Sequence, residues 1–501
     1  MRPLKDRADS TSEGKLQRLL QSERLLWAVS LPALGLLFIA LYWYPIQRLG
    51  IHAPINYNEG WNSYRAHMAA DGVPLYGAPP HLTVTNYPPL SFHLVGFFGK
   101  PSGHYTSAGR WISLVSLAVI IAFAGLFAWH VTGKLRLGIY SAMLFGTAIA
   151  VFLPDRIGMN DPQLLGLALS AAGLYVYARN PDSSANLCFS GLAFAVSLFT
   201  KHNLLAFPCA AGAHLLLNRA WRRGGLWLGA LVAGCLMLLW GTYYWDGPYF
   251  FTHLLIARGY SYFGAWNQFA QYLMIFQIAF VLSILWSIRN ATSQTRNLFG
   301  IAFVIACALG YWFAGGDGVA GNVMFDALFI TAIIAALVVD DFISQRSWNS
   351  EKAILPLLLL LPCLGILVSA PERVLSEREA HKMQATTDAA YSRAVQFLKD
   401  RPGNALCEDL LLCHDSGKPQ LYDPFFGYVQ IRIARIPEAE IVKMFRDRSF
   451  STIELSLPQG ASLTPQGRTR FTAHMMEAIL EQYRPVLHES DFMILIPKSG
   501  P

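Results

Sequence analysis

Eleven runs of apolar residues, each of membrane-spanning length or near it, limit most strongly what this chain can become. They lie at 25–44, 111–130, 137–153, 162–178, 187–200, 203–218, 225–244, 269–288, 297–314, 322–339 and 353–370. A spanning helix needs about 20 such residues, fewer where the bilayer thins. In lipid every backbone polar group must be satisfied within the protein, so runs of this kind become helices. Composition agrees: 53% of the 501 residues are hydrophobic and 14% charged, against roughly 25% charged in a soluble domain. A cytosolic enzyme, a disordered scaffold and a secreted disulfide scaffold are excluded. The expected fold is a multi-span α-helical membrane protein with about 11 transmembrane helices over residues 25–370. It is followed by a C-terminal α/β domain over 371–501.

The net charge of +7 is read as the positive-inside bias of cytoplasmic loops, and no nucleic-acid partner is expected. Residues 1–24 are polar and basic, and Leu16–Leu26 has the apolar spacing of a helix on the membrane surface. Lys134, Arg136, Arg179, Arg219, Arg222, Arg223, Arg289, Arg296, Arg346 and Lys352 fall in loops on the N-terminal side. That places the N-terminus in the cytoplasm. The connections at 46–110, 154–161, 201–203, 245–268 and 315–321 then face outward, as does the tail.

In the tail, Asn404–Cys407, Gln420–Tyr422, Thr452–Glu454 and Phe492–Ile496 read as strands, and Pro437–Phe445 and Thr464–Gln482 as helices. Cys188, Cys209, Cys235, Cys307 and Cys363 lie in apolar runs and read as small buried hydrophobes. Cys407 and Cys413 are six residues apart. A strand end that folds straight into a helix would allow a bond, whereas a full helical rise would hold them beyond reach, and a short loop gains little from a cross-link; the bond stays open as the second reading. Two free thiols are expected. Gly316–Gly321 matches Gly-x-Gly-x-x-Gly but follows an apolar span rather than a strand, so a dinucleotide site is rejected. A tight turn, or a helix N-terminus offering N–H groups to a phosphate, remains.

The first outward loop runs some 65 residues, 46–110, a length uncommon without a function. It contains Asn58-Glu59-Gly60-Trp61, Gly72 to Tyr76, and Tyr87-Pro88-Pro89-Leu90. Later come Arg156 with Asn160-Asp161-Pro162, then Lys201-His202-Asn203, then Gly315 to Asp326, and Asp423-Pro424-Phe425 in the tail. This ordered set resembles the GT-C superfamily of integral membrane glycosyltransferases, in its protein O-mannosyltransferase-like and aminoarabinose-transferase-like branch. Asn58 stands where many relatives have Asp, which leaves a one-carboxylate form of the motif. No cofactor is expected, and a divalent metal is not supported by the sequence.

The resemblance implies transfer of a sugar from a polyprenyl-phosphate donor to a lipid, glycan or protein acceptor. Transfer would occur at the outer face of a bacterial inner membrane, with inversion. Such chemistry needs a carboxylate to take the acceptor's proton and cations to stabilise the departing phosphate. Glu59 and Asp161 are the candidate catalytic acids. Lys201, Arg156 and Arg258 are the candidate phosphate ligands, and Asn58, Trp61, Tyr87, His202 and Asn322 the candidate substrate contacts. Plainer readings stand beside these: Glu59 as a loop or helix N-terminal charge, Asp161 as a helix N-cap, and the three cations as interfacial anchors. A transporter or lipid flippase would favour charges in mid-span, discontinuous helices and a half-repeat, and a non-catalytic envelope-assembly protein would not need Glu59, Lys201 and Arg156 to meet at one cavity. An enzyme would.

Overall fold

The computed structural model describes residues 23–78, 82–293, 296–344, 355–458, 463–466 and 470–498. Residues 1–22, with most of the proposed surface helix, lie outside them, as do Arg346 and Lys352.

Each of the eleven apolar runs is helical. In chain order the helices are α1 (Glu23–Gln47), α2 (Asn58–Ala70), α3 (Leu90–Gly99), α4 (Tyr105–Thr132), α5 (Leu135–Phe152), α6 (Pro162–Arg179), α7 (Ser184–Thr200), α8 (Ala206–Leu217), α9 (Trp221–Trp245), α10 (Phe250–Leu254), α11 (Tyr262–Arg289), α12 (Asn297–Ala314), α13 (Phe325–Ser344), α14 (Leu355–Leu360) and α15 (Leu364–Lys399). Eight of the described helical stretches are long and apolar enough to cross a membrane; α6, α7 and α8 fall short of that standard. The fold class is the expected one, and the eleven runs do not translate into eleven full-length spans.

Burial sorts the helices. The apolar window of α13 is 94% buried, while those of α9 and α1 are 17% and 22% buried. A helix that is apolar all round and enclosed is the centre of a bundle, so α13 is the axis and α1 and α9 face lipid. Small residues allow close crossings elsewhere. A Cβ on Gly191 of α7 would sit 2.8 Å from the backbone of Leu231 in α9, the close approach that small residues permit in membranes.

The loop 46–110 is not an open excursion. It folds into α2 and α3, which pack on each other. Its aromatic residues Trp61, Tyr64, Tyr76 and Phe92 join Tyr391, Leu410, Leu411 and Phe492 of the C-terminal part in one core. The helix α15 runs unbroken past residue 371 to Lys399, so it physically links bundle and tail.

The tail is an α/β unit: β1 (Ala405–Cys407), α16 (Leu410–Asp415), α17 (Pro424–Arg432), α18 (Glu438–Arg446), β2 (Thr452–Ser456), α19 (Ala473–Gln482), β3 (Tyr483–Glu489) and β4 (Phe492–Pro497). The sheet order is β1-β2-β4-β3. β1 is parallel to β2, and β4 is antiparallel to both β2 and β3. Three expectations need correction. Gln420–Tyr422 is not a strand: β1 pairs only with β2, and these residues instead lead into Asp423, which caps α17. The helix expected from Thr464 begins at Ala473, where the Thr472 hydroxyl accepts from Met475 N–H. β3 escaped notice because it is an edge strand with Pro485 and a bulge, so its alternation is broken.

Cys407 and Cys413 form a disulfide, contrary to the expectation of free thiols. Asp409 caps α16 by accepting from Leu411 N–H, so the chain reverses immediately after β1. Cys413 comes back over the strand end, with a Cα–Cα distance of 5.8 Å. Of the other cysteines only Cys363 is buried, and Cys209 is exposed.

Candidate functional site

Five connections and the start of α2 meet at one end of the bundle. Each presents its polar residue for a local reason. Asp161 precedes Pro162, and its Oδ1 accepts from Gln163 N–H at 2.8 Å to cap α6. The α7 helix stops at Lys201, which is extended, and α8 starts only at Ala206, so Lys201 and His202 are held on a very short connection. In the turn 316–321, Gly318 has φ +73° and a Cβ there would lie 2.4 Å from the Phe425 ring. The turn is therefore closed by glycine under a tail residue, and it leads into the helical segment that starts at Gly321.

These connections enclose a cavity of about 270 Å³ lined by Asn58, Tyr87, Arg156, Asp161, Lys201, His202, Asn203, Arg258, Tyr260, Trp312, Asn322 and the 316–320 turn. Eight of the ten candidate residues thus share one space. Asp161 is its hub. Lys201 Nζ donates to Oδ1 at 2.9 Å and Arg156 Nη1 to Oδ2 at 3.3 Å, with all three side chains at most 6% exposed. Lys201 Nζ also stands 4.7 Å from the centroid of the Tyr87 ring, a cation–π contact. Arg258 Nη1 donates to the Asp317 carbonyl at 3.4 Å, and Asn322 Nδ2 to Gln163 Oε1 at 3.5 Å.

Burial works against charge here, and the neighbours decide the outcome. For Asp161, burial pushes the carboxyl up, but Lys201 and Arg156 outweigh it and hold it below the usual range. For Arg258, burial lowers the guanidinium, offset in part by Tyr87, Asp317 and Asp423. For His202, burial, Arg258 and Lys201 all act in one direction and push the imidazole down to about 4. At neutral pH the ring is uncharged. The cavity therefore carries three cations against one carboxylate, a setting for an anion with more than one negative charge.

Glu59 and Trp61 are not at the cavity, so of the three residues that an enzyme was expected to bring together only Lys201 and Arg156 meet there. Glu59 is fully buried. Its Oε1 accepts from Arg110 Nε at 2.9 Å and Asn160 N–H at 2.9 Å; its Oε2 accepts from Arg110 Nη2 at 2.7 Å and Ile55 N–H at 2.7 Å. A carboxylate with all four lone-pair directions taken and no opening has no access to an acceptor hydroxyl. Trp61 donates to the Val84 carbonyl at 3.0 Å and packs edge-on against Tyr87 and Phe92; it braces Tyr87 from behind. Sequence reasoning missed Arg110, which decides the role of Glu59. The available signal was an arginine at the mouth of an apolar run, where a charge calls for a partner. Asn203, Tyr260 and Trp312 also line the space without having been singled out.

Among the described residues no group of three or more His, Cys, Asp or Glu side chains is placed to hold a metal ion. Beside the polar cavity lies an apolar groove of about 740 Å³ walled by Pro89, Leu90, Phe199, Met237, Trp240 and Trp245. Its Pro89 and Phe199 are each two residues along the chain from a cavity residue, Tyr87 and Lys201.

No protein-family model matches the chain, and no curated protein matches it in sequence. Solved structures do. The undecaprenyl phosphate-bound crystal structure of ArnT from Cupriavidus metallidurans is 14% identical, with a TM-score of 0.60; 92% of this chain and 97% of that chain are covered. The same protein in the apo state gives 15% identity, a TM-score of 0.59 and the same coverage. The chain shares the fold of ArnT over nearly its whole length.

Proposed function

We propose that the chain is an inverting membrane glycosyltransferase that moves a sugar from a polyprenyl-phosphate donor to a lipid, glycan or protein acceptor at the outer face of a bacterial inner membrane. The observation that carries this reading is the cavity lined by Arg156, Lys201 and Arg258 and a single carboxylate, Asp161, which pairs with the first two. ArnT of the same fold is bound to undecaprenyl phosphate, which supports a lipid phosphate as the ligand here.

In the proposed reaction the acceptor oxygen attacks the anomeric carbon and the bond from that carbon to the phosphate oxygen breaks. The electron pair stays on the phosphate, which leaves as polyprenyl phosphate with one more negative charge. Lys201, Arg156 and Arg258 stabilise that growing charge, the interaction that lowers a barrier because it strengthens in the transition state. Asp161 acts as a positioning residue: it holds Lys201 and Arg156 a few ångströms apart and aims them inward. The apolar groove suits an isoprenoid tail, which already lies in lipid, so the groove would position the tail rather than draw it out of water. The positive charge that meets the leaving phosphate is supplied by these side chains.

The test is Lys201→Ala in purified full-length protein. Binding of undecaprenyl phosphate should weaken roughly 10- to 100-fold, the worth of one charge-assisted hydrogen bond, with the acceptor KM largely unchanged. Mass spectrometry of envelope glycolipids and glycans from deletion and complemented cells identifies the product. Unaltered undecaprenyl phosphate binding in the variant would remove Lys201 from the phosphate site. Lipid movement without any new glycosidic bond would replace transfer by transport.

A further inference from the structure

The geometry leaves an unfilled role: a group that takes the proton of the acceptor hydroxyl. Glu59 is sealed against Arg110 and does not line the cavity. Asp161 lines it, but Oδ1 is held by Lys201 and Gln163 N–H and Oδ2 by Arg156. Protonating it would break ion pairs within a low-dielectric site. Asn58, on the same wall, is an amide and takes up no proton. The lining side chain that remains with a basic nitrogen outside these pairs is His202. Its Nδ1 is buried with no hydrogen-bond partner in the protein, and its ring lies 6.4 Å from that of Tyr87, the platform under Lys201.

Resting on the glycosyltransferase reading, we propose that His202 is the general base of the transfer. A ring nitrogen accepts the acceptor's O–H proton as the oxygen bonds to the anomeric carbon and the carbon–phosphate oxygen bond breaks. The imidazolium then returns the proton to water. The charges and titratable groups that face it around the cavity are Asp161, Lys201, Arg156, Arg258, Tyr87 and Tyr260.

The surrounding charges explain how a ring kept neutral can serve as a base. Without donor, burial, Arg258 and Lys201 disfavour the imidazolium. Donor phosphate brings one negative charge to these cations, and its departure as a monoester adds a second. The opposition to a proton on His202 therefore falls as the bond to the leaving group breaks, so proton transfer and departure assist each other. The acceptor is activated only when the donor is in place, which guards against loss of the sugar to water.

The experiment compares full-length wild type with His202→Gln, both expressed in the deletion strain. It follows glycan and glycolipid products by mass spectrometry, and single-turnover rates in membranes against pH. Purified proteins report undecaprenyl phosphate binding. We expect the single-turnover rate to fall roughly 10²–10⁴-fold, the contribution of a general base, with lipid-phosphate binding unchanged. The wild-type rate should decline as pH drops through the pKa of the ring in the donor complex, and the residual rate of the variant should lack that decline. A near-wild-type rate overturns the assignment, as does a parallel loss of lipid-phosphate binding, which would mark His202 as structural. Absence of any sugar transfer by wild type overturns the glycosyltransferase reading itself, and this assignment with it.

Discussion

Arg110 reaches Glu59 through Nε and Nη2 and donates to the Ala53 and Ile51 carbonyls with its remaining fork. Both side chains are fully buried. The pair ties the loop after α1, the start of α2 and the body of α4 into one unit. Glu59→Gln therefore leaves a buried guanidinium without its counter-ion, a change that typically costs about 3–5 kcal/mol. The expected outcome is a protein with a lowered unfolding temperature in detergent. Glu59→Leu combined with Arg110→Met should recover part of that loss, because no charge is then left unpaired. A Glu59→Gln protein as stable as wild type would contradict this reading. A sequence shows that Glu59 is an acid in an unusual loop; it cannot show that an arginine 51 positions later occupies it.

Among the elements, the junction of β1 and α16 joins the tail to the first loop. α16 packs on α2, so closely that a Cβ on Gly60 would meet the Leu411 backbone N at 2.1 Å. Buried acids gather there. Asp409 N–H donates to Glu454 Oε2 at 2.8 Å, and Ser456 N–H donates to Glu408 Oε2 at 3.0 Å. Burial pushes Asp409 up to about 7 and Glu454 well above the usual carboxylate range. The folded state thus holds protons that the unfolded chain releases near pH 4. By linkage, stability is greatest below that range and declines as pH rises from about 4 through about 7. Asp409→Asn should flatten this slope, as read by thermal unfolding between pH 5 and pH 8. An unchanged slope would assign the pH dependence to other groups. The acids at 408, 409 and 454 are plain in the sequence. Their proximity is not, because the pairing of β1 with β2 joins positions more than 40 residues apart.

For the molecule as a whole, the connections that carry the cavity gather with the α/β unit at one end. At the other end Lys134, Arg296, Asp340 and Asp341 form ion pairs. The positive-inside bias leads to the expectation that the first end faces outside. A cysteine introduced at exposed Asp400 should be labelled by an impermeant maleimide in intact spheroplasts, and one introduced at Ser293 should not. The reverse pattern would invert the topology and remove the site from the face where a lipid-linked donor is proposed to meet its acceptor.

The membrane class, the helical nature of each apolar run and the ordered motifs of the connecting loops follow from the chain alone. Hydrophobic length and backbone satisfaction in lipid are local demands, legible one segment at a time. The folding of Asp161, Lys201, Arg156 and Arg258 around one space was an expectation from the motifs, and only the packing of α6, α7 and the 316–321 turn produces it. Tertiary structure alone decided which acid is sealed and which lines the cavity. It also decided that Cys413 turns back onto Cys407, and that α15 carries the tail over the first loop. The physical reason is the same in each case. A side chain's charge and access depend on partners brought from distant positions, and no periodicity or spacing records which of them will arrive.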